Sequence, residues 1–433
     1  MSNHPFILSD TNKAHKSLIK RERAEKRFKF YGLFSIFISV AFLLYLLTTI
    51  LDSGIGAFEK TIIRVTINMS PELAANQLEP TLENIEGLNF RKIVSDHFKN
   101  LFSGNLDRTK LIEMSEMVSR SAFTVAKNKA ITKYKKTGKL DNIIVWVPAS
   151  SSIDMLIKGK LDVSVDESIR KISDFQIQMV NKLKFENSIK RVFNWNFLTQ
   201  GDSREPEQAG IYGAITGSFF SLFICMLCAL PIGIGAAIYL EEFAPRSRFK
   251  TMLEIAINNL AAIPSIVYGL LGLAIFLNVV GMPRSSAMAG GFTLALLVLP
   301  VIIVSTRNSI ASIPPSIKDA ATAMGASKMQ VVCHHILPLS LPGIMTGAIL
   351  SMSRALGETA PLLLIGMVAF VRDIPEKITD PASALPVQIF LWSDLPEGGF
   401  VEKTSAAIIV LLLFLILANG LAVYLRKKFE YKW

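Results

Sequence analysis

The stretch that decides the fold runs from Arg307 to Gly343, RNSIASIPPSIKDAATAMGASKMQVVCHHILPLSLPG. Pro314 and Pro315, followed by Ser316, stop one segment and start a helix. Asp319, Ala320, Ala321 and Ala323 suit that helix, and Gly325 breaks it. Ser327 is placed to cap a second helix over 328–335, which Pro338 and Pro342 end before the chain turns into the next apolar run. The pattern predicts a helix–glycine–helix elbow. Its first helix carries side chains short enough for another protein's surface to approach closely. An amphipathic connector between two apolar segments is the plainer reading of the same residues.

Outward from the elbow, apolar runs occupy 212–240, 255–280 and 287–305 on one side and 341–370 and 404–425 on the other. A sixth, 31–51, stands apart near the start. At 1.5 Å per residue, about 20 residues cross a hydrocarbon core of roughly 30 Å, so an all-α polytopic membrane protein of about six transmembrane helices is expected. The chain is 51% hydrophobic and 19% charged, whereas soluble domains carry about 25% charged residues. That balance excludes a disordered chain, a secreted disulfide scaffold and an ordinary cytosolic enzyme. Cys225 and Cys228 share one apolar run and read as packing, not as a redox pair.

The net charge of +11 is not spread evenly. Lys13, Lys16, Lys20, Arg21, Arg23, Lys26, Arg27 and Lys29 stand against Glu22 and Glu25 just before the first run. This is the signature of a cytoplasmic flank on an uncleaved anchor; a nucleic-acid arm is the alternative. The other short-loop charges agree. Arg246, Arg248, Lys250, Arg307, Lys318, Lys328, Arg426, Lys427 and Lys428 fall on one side, and the acid-rich 373–403 loop falls on the other. Both termini are therefore expected in the cytoplasm. The resulting domains are a basic arm over 1–30, a first span over 31–51, an external domain over 52–210, a membrane domain over 211–425 holding the elbow at 307–343, and a tail over 426–433.

The external segment alternates basic and acidic residues and holds no cysteine. Its run 142–147 (NIIVWV) reads as a short buried strand ended by Pro148. Ile169, Ile172, Phe175, Met179 and Leu183 have helical spacing within 166–193, which suits a small α/β or α+β domain. It has one histidine, His97, and no metal-ligand spacing. The basic run 133–139 reads as a solvated face.

A second signal lies in the 341–370 run: Arg354, Gly357, Glu358, Thr359, Ala360 and Pro361 (RALGETAPLL). Charges at lipid depth are costly and mark function or pairing. Arg354 and Glu358 are four apart and share a helix face. They form either a buried ion pair holding two helices together or part of a polar path, where Arg354 offers a planar fork to an oxyanion. Pro361 interrupts the helix where freed backbone lines a cavity.

These two signals carry a resemblance. D-A-A-x3-G followed by Leu337 and Pro338 resembles the EAA loop of ABC-importer permeases, with Asp319 where that family favours Glu and His335 where an aliphatic residue is usual. The GETAPLL string is similar to the phosphate-specific branch of those permeases and sets it apart from permeases for sulfate, molybdate or amino acids. Supporting strings lie at 193–199, 210–217, 231–245 and 263–273, so the likeness spans about 190–425. It implies the type I ABC-importer permease fold with a large inserted periplasmic domain, in a bacterial inner membrane. It also implies that Asp319, Ala320, Ala321, Gly325, Leu337 and Pro338 meet an ATPase dimer, and that Arg354, Glu358 and Thr359 line the substrate path. Arg307 stands for an arginine that the family places before the loop and is grouped with the substrate path. The implied partners are inorganic phosphate, a second permease subunit and a periplasmic phosphate-binding protein, with no nucleic acid. This chain has no G-x-x-x-x-G-K-[ST] nucleotide cradle. ATP and magnesium are expected on the partner ATPase, and no cofactor or metal is expected on this chain. A permease for another oxyanion, sulfate or molybdate, is the alternative within the family; a membrane receptor for phosphate signalling is the competing class, but no cytoplasmic segment is long enough for a signalling domain.

Overall fold

The computed structural model describes residues 6–102, 107–168, 170–368 and 370–429. Ile169, the tail residues 430–433 and the side chains of Lys13 and Lys16 lie outside the described part. The chain divides into two compact units, 1–53 and 54–433. The first is formed by helix α1 (Phe6–Ile55), whose last residues enter the second. The basic arm continues the same helix as the apolar run, with Lys29 and Glu25 ion-paired at 2.6 Å.

The domain expected outside the membrane, termed the external domain, is built on a three-stranded antiparallel sheet of order β2–β1–β3, made of β1 (Glu59–Ile67), β2 (Ile143–Pro148) and β3 (Ile189–Phe193). In β1 every second residue, Thr61, Ile63, Val65 and Ile67, turns inward, the period-2 pattern of a half-buried strand. Helices α2 (Phe90–Leu101), α3 (Ser121–Thr137) and α4 (Asp174–Phe185) bury Phe90, Val94, Phe98, Ala122, Ala126, Met179 and Leu183 in one core with Ile63, Val65 and Ile67. The domain is therefore α+β. The 142–147 run is a strand, but a half-buried edge strand, since Ile144 is 52% exposed. The helix expected across 166–193 starts only at Asp174, behind the capping box of Ser173 with Gln176, and stops at Phe185. Residues 189–193 pair with β1 instead.

The membrane part begins with α5 (Tyr212–Ile238), which continues as a π-turn over Tyr239–Phe243. Next come α6 (Arg248–Ala261) and α7 (Ser265–Gly272), the latter extended by a π-turn over Leu273–Val279. Helix α8 (Ala287–Ala311) is central, with 67% of its most apolar stretch buried, against 11% in the last helix, α12 (Gly398–Phe429). Between them lie α9 (Pro315–Ala323), α10 (Leu337–Gly357) and α11 (Leu385–Ser393).

Two expected spans are corrected. The 255–280 run is two helices bent by 102° at Ala262–Pro264, so five described helices are long and apolar enough to cross a membrane, or six if the bent pair counts as one. The 341–370 span is shifted: its helix runs over Lys328–Gly357 and ends at Gly357. Pro338 and Pro342 do not stop it: the π-turn Val332–Ile336 widens the coil where the Pro338 ring would meet the carbonyl of His334, and Pro342 is carried inside the helix.

Helices α8 and α10 approach closely. A Cβ on Gly347 would lie 2.6 Å from that of Ser305, and one on Gly343 would lie 2.7 Å from that of Ser309. Ser309 Oγ donates to Ser340 O at 2.8 Å across this seam. The external domain is fixed to the start of α12 by buried charges. Lys158 Nζ reaches Glu402 Oε2 at 3.1 Å, Glu59 O at 3.0 Å and the Asp154 carboxylate, while Lys160 lies 2.9 Å from Glu402 Oε1. Lys403, 5% exposed, donates to Ala209 O.

Candidate functional site

The elbow is built as the sequence implies at its hinge. α9 ends at Ala323, and Gly325 has φ +86°, a left-handed conformation that suits glycine. Ser327 Oγ accepts from Gln330 N at 3.4 Å, and Ser327 N donates to Gln330 Oε1 at 2.8 Å, a capping box that restarts the chain as helix over Lys328–Val331. Ala321, Val331, Val332 and Ile336 close on Ile310 and Ile313 in a small core of their own. This core separates two neighbours: Ala321 is buried at 8% exposure, whereas Asp319, Ala320 and Gly325 are exposed. Leu337 and Pro338 are half-buried at the start of α10. The outer face also carries Met324 and Met329, 89% and 61% exposed. Sequence reasoning passed over both, although two methionines flanking the hinge glycine in a polar stretch were a visible signal for an adaptable contact surface.

Arg354 and Glu358 do meet, but not on one helix. Helix α10 ends at Gly357, and Glu358 is extended, with φ −83° and ψ 118°. Thr359 follows, and then a single short turn, Ala360–Leu364. Arg354 Nε and Glu358 Oε1 are 3.6 Å apart, longer than a hydrogen bond, with the two side chains 35% and 22% exposed. No other ion pair or hydrogen bond of the Arg354 guanidinium occurs among the described residues. Its remaining donors have no hydrogen-bond partner among the described residues. Three residues that the sequence did not single out frame the break. Ser353 Oγ bonds Asn419 Oδ1 of α12 at 2.9 Å. On α7, Gly269 lies so near Pro361 that a Cβ would come within 2.7 Å of the proline Cα.

Arg307 is placed elsewhere, in an ion-pair cluster near the elbow. Its Nε lies 2.7 Å from Glu241 and its Nη2 2.8 Å from Glu254, while Lys318 of α9 pairs with Glu242. Both faces of the guanidinium fork are occupied by carboxylates. Among the described residues no group of His, Cys, Asp and Glu is arranged to hold a metal.

A profile of binding-protein-dependent transport system inner membrane components matches residues 229–431, and one for a domain of unknown function (DUF3333) matches residues 15–167. The probable ABC transporter permease protein YqgI of Bacillus subtilis is 30% identical over 251 residues, covering 54% of this chain and 85% of that one. The phosphate transport system permease protein PstA of Haemophilus influenzae is 30% identical over 237 residues, covering 55% and 82%. PstA of Yersinia pestis is 33% identical over 221 residues, covering 51% and 74%. Among solved structures, an inward-facing MetNI methionine ABC transporter superposes with a TM-score of 0.40 at 19% identity, covering 51% of this chain and 95% of that one. On the strength of the curated relatives and the profile over 229–431, the chain belongs to the binding-protein-dependent ABC importer permeases and is PstA-like within them.

Proposed function

We propose that this permease is one half of the translocation pathway of an ATP-driven phosphate importer and docks its ATPase through the elbow at 307–343. The single observation that carries the substrate is Arg354. It is a half-buried guanidinium at a helix break, with only a long ion pair to Glu358 and free donors matched to a tetrahedral oxyanion. The names of the PstA relatives support phosphate as that oxyanion. Glu358 moderates the attraction so that the ion is released, and Thr359 completes the polar lining. The exposed Asp319, Ala320 and hinge Gly325 supply a docking surface held rigid by the small core beneath. The working complex comprises a PstC-like second permease, a PstB-like ATPase dimer that holds ATP and magnesium, and a PstS-like periplasmic binding protein. The chain sits in the bacterial inner membrane. With the bent pair counted as one span, parity and the positive-inside bias put both termini in the cytoplasm and the 52–210 domain outside.

The test is energised uptake of labelled phosphate in cells lacking this gene and complemented with it, with sulfate and molybdate as competitors. Uptake restored by the gene and indifferent to both competitors supports the reading. Competition by sulfate or molybdate makes the chain a permease for that other oxyanion. Restored phosphate signalling without uptake makes it a receptor.

A further inference from the structure

We infer that the ion pairs of Arg307 and Lys318 are a mechanical relay that carries motion of the elbow to the helix break at Glu358. This rests on the proposed function, which assigns the elbow to the ATPase and the break to the substrate. Lys318 projects from α9, the elbow's first helix, and pairs with Glu242. Glu242 sits with Glu241 on the π-turn Tyr239–Phe243, an uncommon backbone form that recurs at functional positions. Glu241 accepts from Arg307 Nε at 2.7 Å, and the same guanidinium donates through Nη2 to Glu254 of α6 at 2.8 Å. One planar side chain thus joins the end of α5 to α6, which a point-charge ammonium does not reproduce.

From Glu254 the path continues through the bent pair. The 102° angle between α6 and α7 is braced by the Tyr268 hydroxyl, which donates to Leu260 O at 2.7 Å across the bend. A braced angle moves as one piece, so a displacement at Glu254 turns α7. Helix α7 meets the far side of the break directly, where Gly269 leaves no room for a Cβ against Pro361. Pro361 follows Glu358 by three residues, so the last joint of the path borders the Arg354–Glu358 pair. The carboxylates and cations of the relay are mostly shielded, with side-chain exposures from 15% to 29%. They therefore persist at physiological salt better than open surface pairs do.

The experiment uses the full complex in proteoliposomes, with labelled phosphate as the probe, and reads phosphate moved per ATP hydrolysed alongside ATPase co-purification. Lys318→Glu and Glu242→Lys should each keep the ATPase bound and lower phosphate per ATP about tenfold, within the usual range of a coupling free energy. The double swap Lys318→Glu with Glu242→Lys should recover most of the loss. Arg307→Lys should behave like the single variants. Unchanged phosphate per ATP in the single variants overturns the relay. So does a loss of ATPase binding and transport together that the double swap fails to restore, which would make the pairs a structural staple. Failure of the underlying reading shows separately, as an absence of phosphate uptake in the wild-type complex.

Discussion

Ala320 and Ala321 sit side by side on the elbow's first helix, yet one faces outward and the other is packed on Ile310 and Ile313. Ala320→Arg should leave the chain folded and weaken co-purification with the ATPase, whereas Ala321→Arg should unfold the elbow itself. Burying an unpaired charge there costs about 1–3 kcal/mol or more, and a lower thermal midpoint of the purified chain would report it. Gly325→Val belongs with Ala320→Arg in its effect on coupling, because the strain lies at φ +86° and no neighbour lies within 4 Å of a Cβ there. At the break, replacing both Arg354 and Glu358 by Leu separates pairing from transport. An apolar replacement of an ion pair is often neutral for folding, so the double variant should assemble normally and transport nothing. Arg354→Lys should also transport poorly, and normal uptake in either variant would reduce the motif to a staple. In the external domain, burial holds His97 down to about 4 from 6.5, and its Nδ1 accepts from Thr66 N at 3.4 Å. The folded value lies below the unfolded one, so the stabilisation is complete above pH 6.5 and is lost as pH falls toward 4, on the order of 3 kcal/mol in all. The thermal midpoint should decline over that window, and His97→Phe should flatten the slope.

Helices reveal what hydropathy reads well and what it does not. The apolar stretches were legible because lipid-facing and core-facing residues are alike in composition, as in α5 and α8. The bend at Pro264 was not, since a run's mean hydropathy is the same whether the run is straight or folded back. The end of α10 at Gly357 was hidden for a related reason: Arg354 and Glu358 have helical spacing, yet the backbone between them leaves the helix and the pair forms regardless. In the external domain the apolar run of β2 was readable as a strand, whereas the alternation of β1 was not singled out. The 189–193 segment continued a helical spacing until the β1 edge claimed it. Of the site, the hinge glycine and the two charges of the break stand out along the sequence itself. The neighbouring Ser353–Asn419 bond and the approach of Gly269 to Pro361 depend on tertiary contact that no local pattern encodes. The α8–α10 seam offers an element-scale test. Gly347→Ala presses a Cβ to within 2.6 Å of Ser305 Cβ and should destabilise by about 1–3 kcal/mol. Gly235→Ala, with nothing within 4 Å, should be neutral or slightly stabilising. Thermal melting of the two purified variants distinguishes close approach from helix propensity.

Across the whole molecule, topology is open to chemical labelling. Cys333 is exposed at the elbow, so the experiment starts from Cys333→Ser. In that background Lys135→Cys, on the exposed end of α3, should react with an impermeant maleimide added outside, and Ser316→Cys only after permeabilisation. The reverse pattern would overturn the charge-bias reading. The buried junction between the external domain and α12 bears on how the chain is made. Lys158 and Glu402 are 244 positions apart, and at a synthesis rate of about 5–20 residues per second that gap lasts roughly 12 to 50 s. Until then Lys158 and Lys160 lack the Glu402 carboxylate, which arrives only with the start of α12. The domain is thus the first large piece to emerge and among the last to be locked. A chain that stops before residue 402 lacks the carboxylate that Lys158 and Lys160 meet, so this latch forms only once the start of α12 has been made.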